Sequence, residues 1–175
     1  MKKLLLYTAC LSLVLFCGSC KKIDDLLTFT ISNQTSFTIP SGGAISLPFD
    51  VPDPNNTSNS SEAFSNNNTD ANHVKNIYLK NLQLTITNPS GQNFNFLQSI
   101  TIYISTDSSN EIELASLSTI PQNVDTITLI PTSAALDVYV KSPTYNLRTQ
   151  VTTNEILTQD VTVEADSKFQ VTAKL

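Results

Sequence analysis

The chain has 175 residues and a mass of 19.1 kDa, which is room for one domain of ordinary size. Lys and Arg total 10 against 15 Asp and Glu, a net charge of −5, so no basic surface is available to neutralise phosphates and a nucleic-acid partner is not expected. The three cysteines, Cys10, Cys17 and Cys20, all lie in the first twenty residues, which excludes a disulfide framework or a thiolate zinc site in the body of the chain.

Met1-Lys2-Lys3 is a short cationic start, and an apolar run follows from Leu4 to Phe16. This is the layout of a secretory signal peptide covering residues 1–19. The alternative, a transmembrane helix, would have only the 17 residues from Leu4 to Cys20, interrupted by Thr8, Ser12, Gly18 and Ser19, where a bilayer core needs about 20 apolar ones. The next residues, Phe16-Cys17-Gly18-Ser19-Cys20-Lys21, resemble the lipobox of bacterial lipoproteins, with two small residues before the acceptor cysteine and Cys17 where that family usually has Leu. The resemblance implies cleavage before Cys20, a diacylglyceryl thioether on its sulfur and an acylated amine, palmitate being a typical chain. An ordinary cysteine behind a standard signal peptide is the other reading. Acyl burial contributes about 0.8 kcal/mol per methylene, so two or more chains would hold the protein firmly and the membrane becomes a partner. Lys21 in place of Asp implies, within that family, the outer membrane. Residues 20–25 form the lipidated cysteine and its tether, and Lys21-Lys22-Ile23-Asp24-Asp25 is similar to the lysine-plus-acidic export signals of Bacteroidota lipoproteins. Read so, it points to the cell surface; as a plain solvated tether it is equally compatible with the periplasmic face.

The remaining chain, residues 26–175, reads as a single domain of alternating rather than helical periodicity. Cleavage leaves eight Lys and Arg against fifteen Asp and Glu, a net charge of −7. Leu27, Phe29 and Ile31 alternate with Thr28 and Thr30, and Pro40-Ser41-Gly42-Gly43 supplies a turn. From Asn55 to Asn72, 13 of 18 residues are Ser, Thr or Asn, with only Ala63, Phe64 and Ala71 apolar; this is expected to be a disordered Asn/Ser-rich insertion at about 55–72. Parity changes between Leu79 and Leu82, which predicts a β-bulge near Lys80-Asn81. Leu82, Leu84 and Ile86 then alternate, as do Ile100, Ile102 and Ile104, with turn signals at Asn88-Pro89-Ser90-Gly91 and Asp107-Ser108-Ser109-Asn110. Leu136, Val138 and Val140 read as a further strand, followed by Val161 with Val163 and Phe169 with Val171. The count predicts an all-β fold, an antiparallel sandwich of about 8–10 short strands.

Candidate chemistry is sparse. His73 is the sole histidine and sits at the edge of the Asn-rich loop, where a solvated side chain is the expected reading; no base then stands beside a nucleophile and no histidine metal site forms. Three glycines, Gly42, Gly43 and Gly91, remain after cleavage, too few for a phosphate-cradling loop. Glu111 and Glu113 fall on one side of a strand, where a solvated face is the ordinary reading and a glycosidase pair the catalytic one. Asp50 with Asp53, and Asp107 with Asn110 and Glu111, are acidic turn clusters; calcium is the functional reading and plain turn chemistry the structural one. Tyr103 and Tyr139 fall on the polar parity of their predicted strands, where exposed rings could stack on sugars. Arg148 is the only arginine and is expected to pair locally with a carboxylate. Asp125-Thr126-Ile127 resembles the O-glycosylation acceptor of Bacteroidota secreted proteins.

The stretch from Leu136 to Leu175, read as two Thr-rich hairpins, is similar to the immunoglobulin-like modules of Bacteroidota lipoproteins. That resemblance implies an immunoglobulin-like β-sandwich and no activity. The expectation is therefore a lipid-anchored outer-membrane lipoprotein, facing the cell surface or the periplasm. It is not an enzyme, has no catalytic residues, metal or cofactor, and carries one modified site, the lipid attachment at Cys20. Its domain is an interaction or structural module, with surface glycan binding as the alternative.

Overall fold

A computed structural model of the chain describes residues 27–51, 56–57 and 60–174. Cys20, the signal segment and the tether lie outside the described residues. Nine strands form among the described residues: β1 Thr28–Ile39, β2 Phe49–Val51, β3 Asn56–Thr57, β4 Val74–Asn88, β5 Leu97–Ser105, β6 Ile112–Leu117, β7 Thr126–Pro131, β8 Thr144–Thr153 and β9 Val161–Ala173. Hydrogen-bonded neighbours run β1-β9-β4-β7-β6-β5-β8-β2, all antiparallel, and β3 pairs with β8.

The all-β antiparallel sandwich expected from the alternation is what the chain forms. β7 is the corner. Its first residues pair with β4 (Leu82 with Leu129, Gln83 with Thr128), and its last two, Ile130 and Pro131, pair with Ser116 and Ala115 of β6. The sheet therefore curls into two layers, β1-β9-β4-β7 over β2-β8-β5-β6. Within the sandwich class this strand order is that of a jelly roll, two interlocked Greek keys. The segment 27–51 belongs to the same sandwich, because β1 lies against β9 over twelve residue pairs.

Period-two burial fills the space between the layers. Ile77, Leu82, Leu84, Ile100, Ile102, Ile104, Val151, Val161, Val163 and Val171 are all buried, while most Thr, Gln and Ser occupy the outward parity; Thr149, Thr153 and Ser167 are buried on the inward one. Outward Thr hydroxyls meet across strands at Thr28–Thr172, Thr38–Thr162 and Thr85–Thr126, which covers part of the β1-β9-β4-β7 face with uncharged polar groups. The predicted bulge is present: Leu79 faces Phe169 and Asn81 faces Lys168, so Lys80 is the extra residue and the inward set shifts from Ile77 and Leu79 to Leu82 and Leu84.

Two segments depart from alternation. Residues 136–140 were expected as a strand, but Asp137–Val140 form a short helix, α2. Leu136, Tyr139 and Val140 are buried and Val138 is 66% exposed, so the apolar spacing is that of one helical turn rather than of a pleat. Ile77 N–H donates to the Asp137 carboxylate, and the Lys141 ammonium to Val74 O, which fixes this turn against the start of β4. Within the Asn- and Ser-rich stretch, Ser60–Asn66 form a second helix, α1, with Phe64 buried in the core and its ring edge-on to Phe29. A 3-10 turn, Ala71–His73, then leads into β4, capped by the Asp70 carboxylate, which accepts from the N–H groups of Asn72 and His73.

Candidate functional site

Polar side chains gather on both outer faces of the sandwich. On the β2-β8-β5-β6 layer the focus is Arg148. Its Nε and Nη2 donate to Glu111 Oε2 and Oε1 at 2.9 and 2.7 Å, a bidentate pair, and Nη1 donates to Asp50 Oδ1 at 2.7 Å. The guanidinium carbon lies 4.0 Å from the centre of the Tyr103 ring, and Gln150 Nε2 donates to the same Asp50 oxygen at 3.3 Å. Register explains the assembly: Arg148 is opposite Tyr103, and Asp50 is opposite Gln150. The Arg148 hydrogen bonds hold the Glu111 carboxyl below the usual glutamate range, and the two carboxylates raise the guanidinium further.

Arg148 was expected to pair locally; instead it joins carboxylates 37 and 98 residues away in sequence. Asp50 and Glu111, assigned above to separate acidic clusters, thus meet on one cation. Asp107 and Asn110 do not join them. Asp107 Oδ1 accepts from the Ser109 N–H and hydroxyl, which lowers its pKa, and Asn110 Oδ1 accepts from the Thr106 and Asp107 N–H groups. These are the bonds of a hairpin turn. Glu113 is exposed on β6, on the side of Glu111, and Asp53 lies outside the described residues. His73 is exposed and its Nδ1 lies 2.9 Å from Asp70 Oδ2.

The tyrosines sort differently from their predicted parity. Tyr139, expected exposed, is 7% exposed in α2 and its hydroxyl donates to Asn110 O at 2.7 Å. Tyr103 is half-buried beneath Arg148. Tyr78 on β4, to which sequence reasoning assigned no role, is 40% exposed on the opposite face.

On that opposite face the β4 bulge opens a groove of about 250 Å³, lined by Ser32, Asn81, Gln83, Asp166, Ser167 and Lys168. Ser32 is opposite Lys168 on one side of β9, and Asn81 is opposite Lys168 on the other. Gln34 Nε2 donates to Asp166 Oδ1 at 3.1 Å. None of these lining residues was singled out as a site from sequence. The signal that could have found them was the parity change at Lys80-Asn81, since a bulge re-aims side chains on the strand that carries it.

No family model matches the chain, and no curated protein matches it in sequence. Among solved structures it is similar to that of tomato aspermy virus (12% identity, TM-score 0.31, covering 79% of this chain and 76% of that one). It is similar to desmodium yellow mottle tymovirus at 12% identity and a TM-score of 0.30, covering 85% and 83%. It is also similar to a carbohydrate-binding module of the β-sandwich superfamily at 14% identity and a TM-score of 0.29, covering 79% and 54%.

Proposed function

We propose that the chain is an outer-membrane lipoprotein whose β-sandwich is a non-enzymatic interaction module held to the bilayer by acylated Cys20. The observation that carries this reading is the Gly18-Ser19-Cys20 sequence directly behind a cationic start and a short apolar run. The placement of β1 is compatible with it. Six residues lie between Cys20 and Leu27, so Leu27, directly before β1, would lie within about 25 Å of the anchor at full extension. The end of the sandwich with Leu27, Val74 and Ala173 would then face the membrane, and the turn at residues 40–43 and the β8–β9 connection would face away. Three of the carboxylates weighed for catalysis have other partners, Asp50 and Glu111 in Arg148 and Asp107 in its own turn, which supports the non-enzymatic part.

Radiolabelled palmitate and detergent phase partition test the anchor. The wild-type chain takes up label and enters the detergent phase, and Cys20→Ala does neither. A Cys20→Ala protein as firmly membrane-bound as wild type overturns the reading. Protease added to intact cells then separates display at the surface, with digestion before lysis, from a periplasmic position. A second reading, a surface glycan-binding protein, is favoured by the polar groove at the β4 bulge.

A further inference from the structure

We propose that the groove at the β4 bulge is a saccharide site, taking one ring of an uncharged glycan on the outer face of the β1-β9-β4-β7 layer; this rests on the glycan-binding reading. Three features of the groove carry it.

The first is chemical. The lining offers two carboxamides, Asn81 and Gln83, a carboxylate, Asp166, an ammonium, Lys168, and a hydroxyl, Ser32. Carboxamides both donate and accept, a carboxylate accepts and an ammonium donates, which is the mixed inventory that a ring of hydroxyls needs. The charges of Asp166 and Lys168 cancel and the groove holds no arginine fork, so it lacks the grip that would favour a sulfated or phosphorylated ligand over a neutral one.

The second is size. A space of about 250 Å³ lies below the roughly 300–1,000 Å³ of pockets for drug-sized ligands, so it admits a single ring and leaves the rest of a chain along the open sheet.

The third is the rim. Tyr78 is opposite Gln170, one outward position along β9 from Lys168, about 7 Å away at strand spacing. The residue stays 40% exposed. Ile130, 67% exposed, follows Leu129, the partner of Leu82 directly after Asn81. Exposed Tyr78 and Ile130, at outward positions near the lining in register though outside it, would offer apolar surface to a pyranose, which has polar edges and an apolar face. The Tyr103 ring of the other layer is covered by Arg148 and offers no such surface.

Affinity electrophoresis of the full chain in mild detergent tests this, through native gels containing a β-glucan, an α-mannan or a galactomannan, with dextran sulfate as the anionic comparison. At least one neutral polymer retards the wild type, and Gln83→Ala and Asp166→Ala weaken the retardation at least tenfold. Asp50→Ala, on the opposite face, leaves it unchanged. A thermal transition kept by each variant shows that the loss is not unfolding. Retardation that survives both groove substitutions overturns the groove as the site and leaves glycan binding standing. No retardation by any neutral polymer, or retardation by dextran sulfate alone, overturns both.

Discussion

Asn33 of β1 donates its Nδ2 hydrogen to the Tyr145 hydroxyl of β8 at 2.5 Å, tying the edge of one layer to the other. Both side chains lie on the inward parity of their strands, and Tyr145 is buried. Burial pushes the phenol up to about 12, against a smaller opposing effect of the Asn33 bond. An unfolded tyrosine titrates near 10, so the native state holds its proton longer than the unfolded one. The resulting stability is complete below pH 10 and is lost as the pH rises towards 12, a span worth about 2–3 kcal/mol. Tyr145→Phe is expected to cost about 1 kcal/mol at pH 8, from the lost bond, and to remove most of this alkaline loss. Urea midpoints at pH 8 and pH 11.5 for the two proteins measure it; equal losses in both would sink the assignment.

Arg148 makes the opposite kind of contribution, on the surface and at the acid end. Because Glu111 is held below its ordinary value by Arg148, its stabilisation is present above pH 4.5 and is lost as the pH falls through the lowered value. The pairs are partly exposed, so Arg148→Ala should cost only about 1 kcal/mol, most of it gone in high salt. The Glu111 carboxyl carbon, followed by NMR titration, should return to the ordinary glutamate range in the variant. A midpoint unchanged by the substitution would mean that Arg148 does not hold it.

What could be read from the residues was whatever period two encodes. The inward sets of β1, β4, β5 and β9, and the bulge between Leu79 and Leu82, follow from alternation, because a pleat admits no other reading of Leu82, Leu84 and Ile86. Residues 136–140 misled because Leu136, Val138 and Val140 alternate over too short a run to separate a strand from one turn of helix. Tertiary bonds from Ile77 and Lys141 decide it. The Arg148 cluster was illegible for a different reason: strand order brings Asp50 and Glu111 together, and alternation says nothing of strand order. The groove lay between these cases, since its bulge was visible and its partners on β1 and β9 were not.

Phe64 shows how a polar stretch can still carry a packing signal. Between Asn55 and Asn72 the apolar residues are Ala63, Phe64 and Ala71, and all three pack on the core, Phe64 with 1% exposure and its ring centre 6.4 Å from that of Phe29. Removing a ring from such a position typically costs 3–5 kcal/mol, and about 3 kcal/mol is expected for Phe64→Ala. Amide exchange across Ser60–Asn66 should rise first, before that of β4 and β9, because α1 rests on this one buried aromatic. A loss below about 0.5 kcal/mol, the size of an ordinary surface change, would show that the helix is not anchored there.

Asn76 separates backbone geometry from strand propensity. It lies in β4 at a second register shift, between the Lys75–Thr172 and Tyr78–Gln170 pairs, with φ at +53°. That left-handed conformation places Cβ against the backbone, which Asn tolerates, Gly escapes and a β-branched residue meets in full. Propensity alone would favour Val in a strand and penalise Gly. The geometry reverses the order: Asn76→Gly should be neutral or mildly stabilising, and Asn76→Val should cost about 1–2 kcal/mol. Because the side chain is exposed, little packing is lost in either variant and the difference in urea midpoint reports the backbone. Val at least as stable as Gly would mean that the strand runs through this position without the bulge. Ile77 and Leu79 would then change sides relative to Val74, which in the bulged strand faces the core with them.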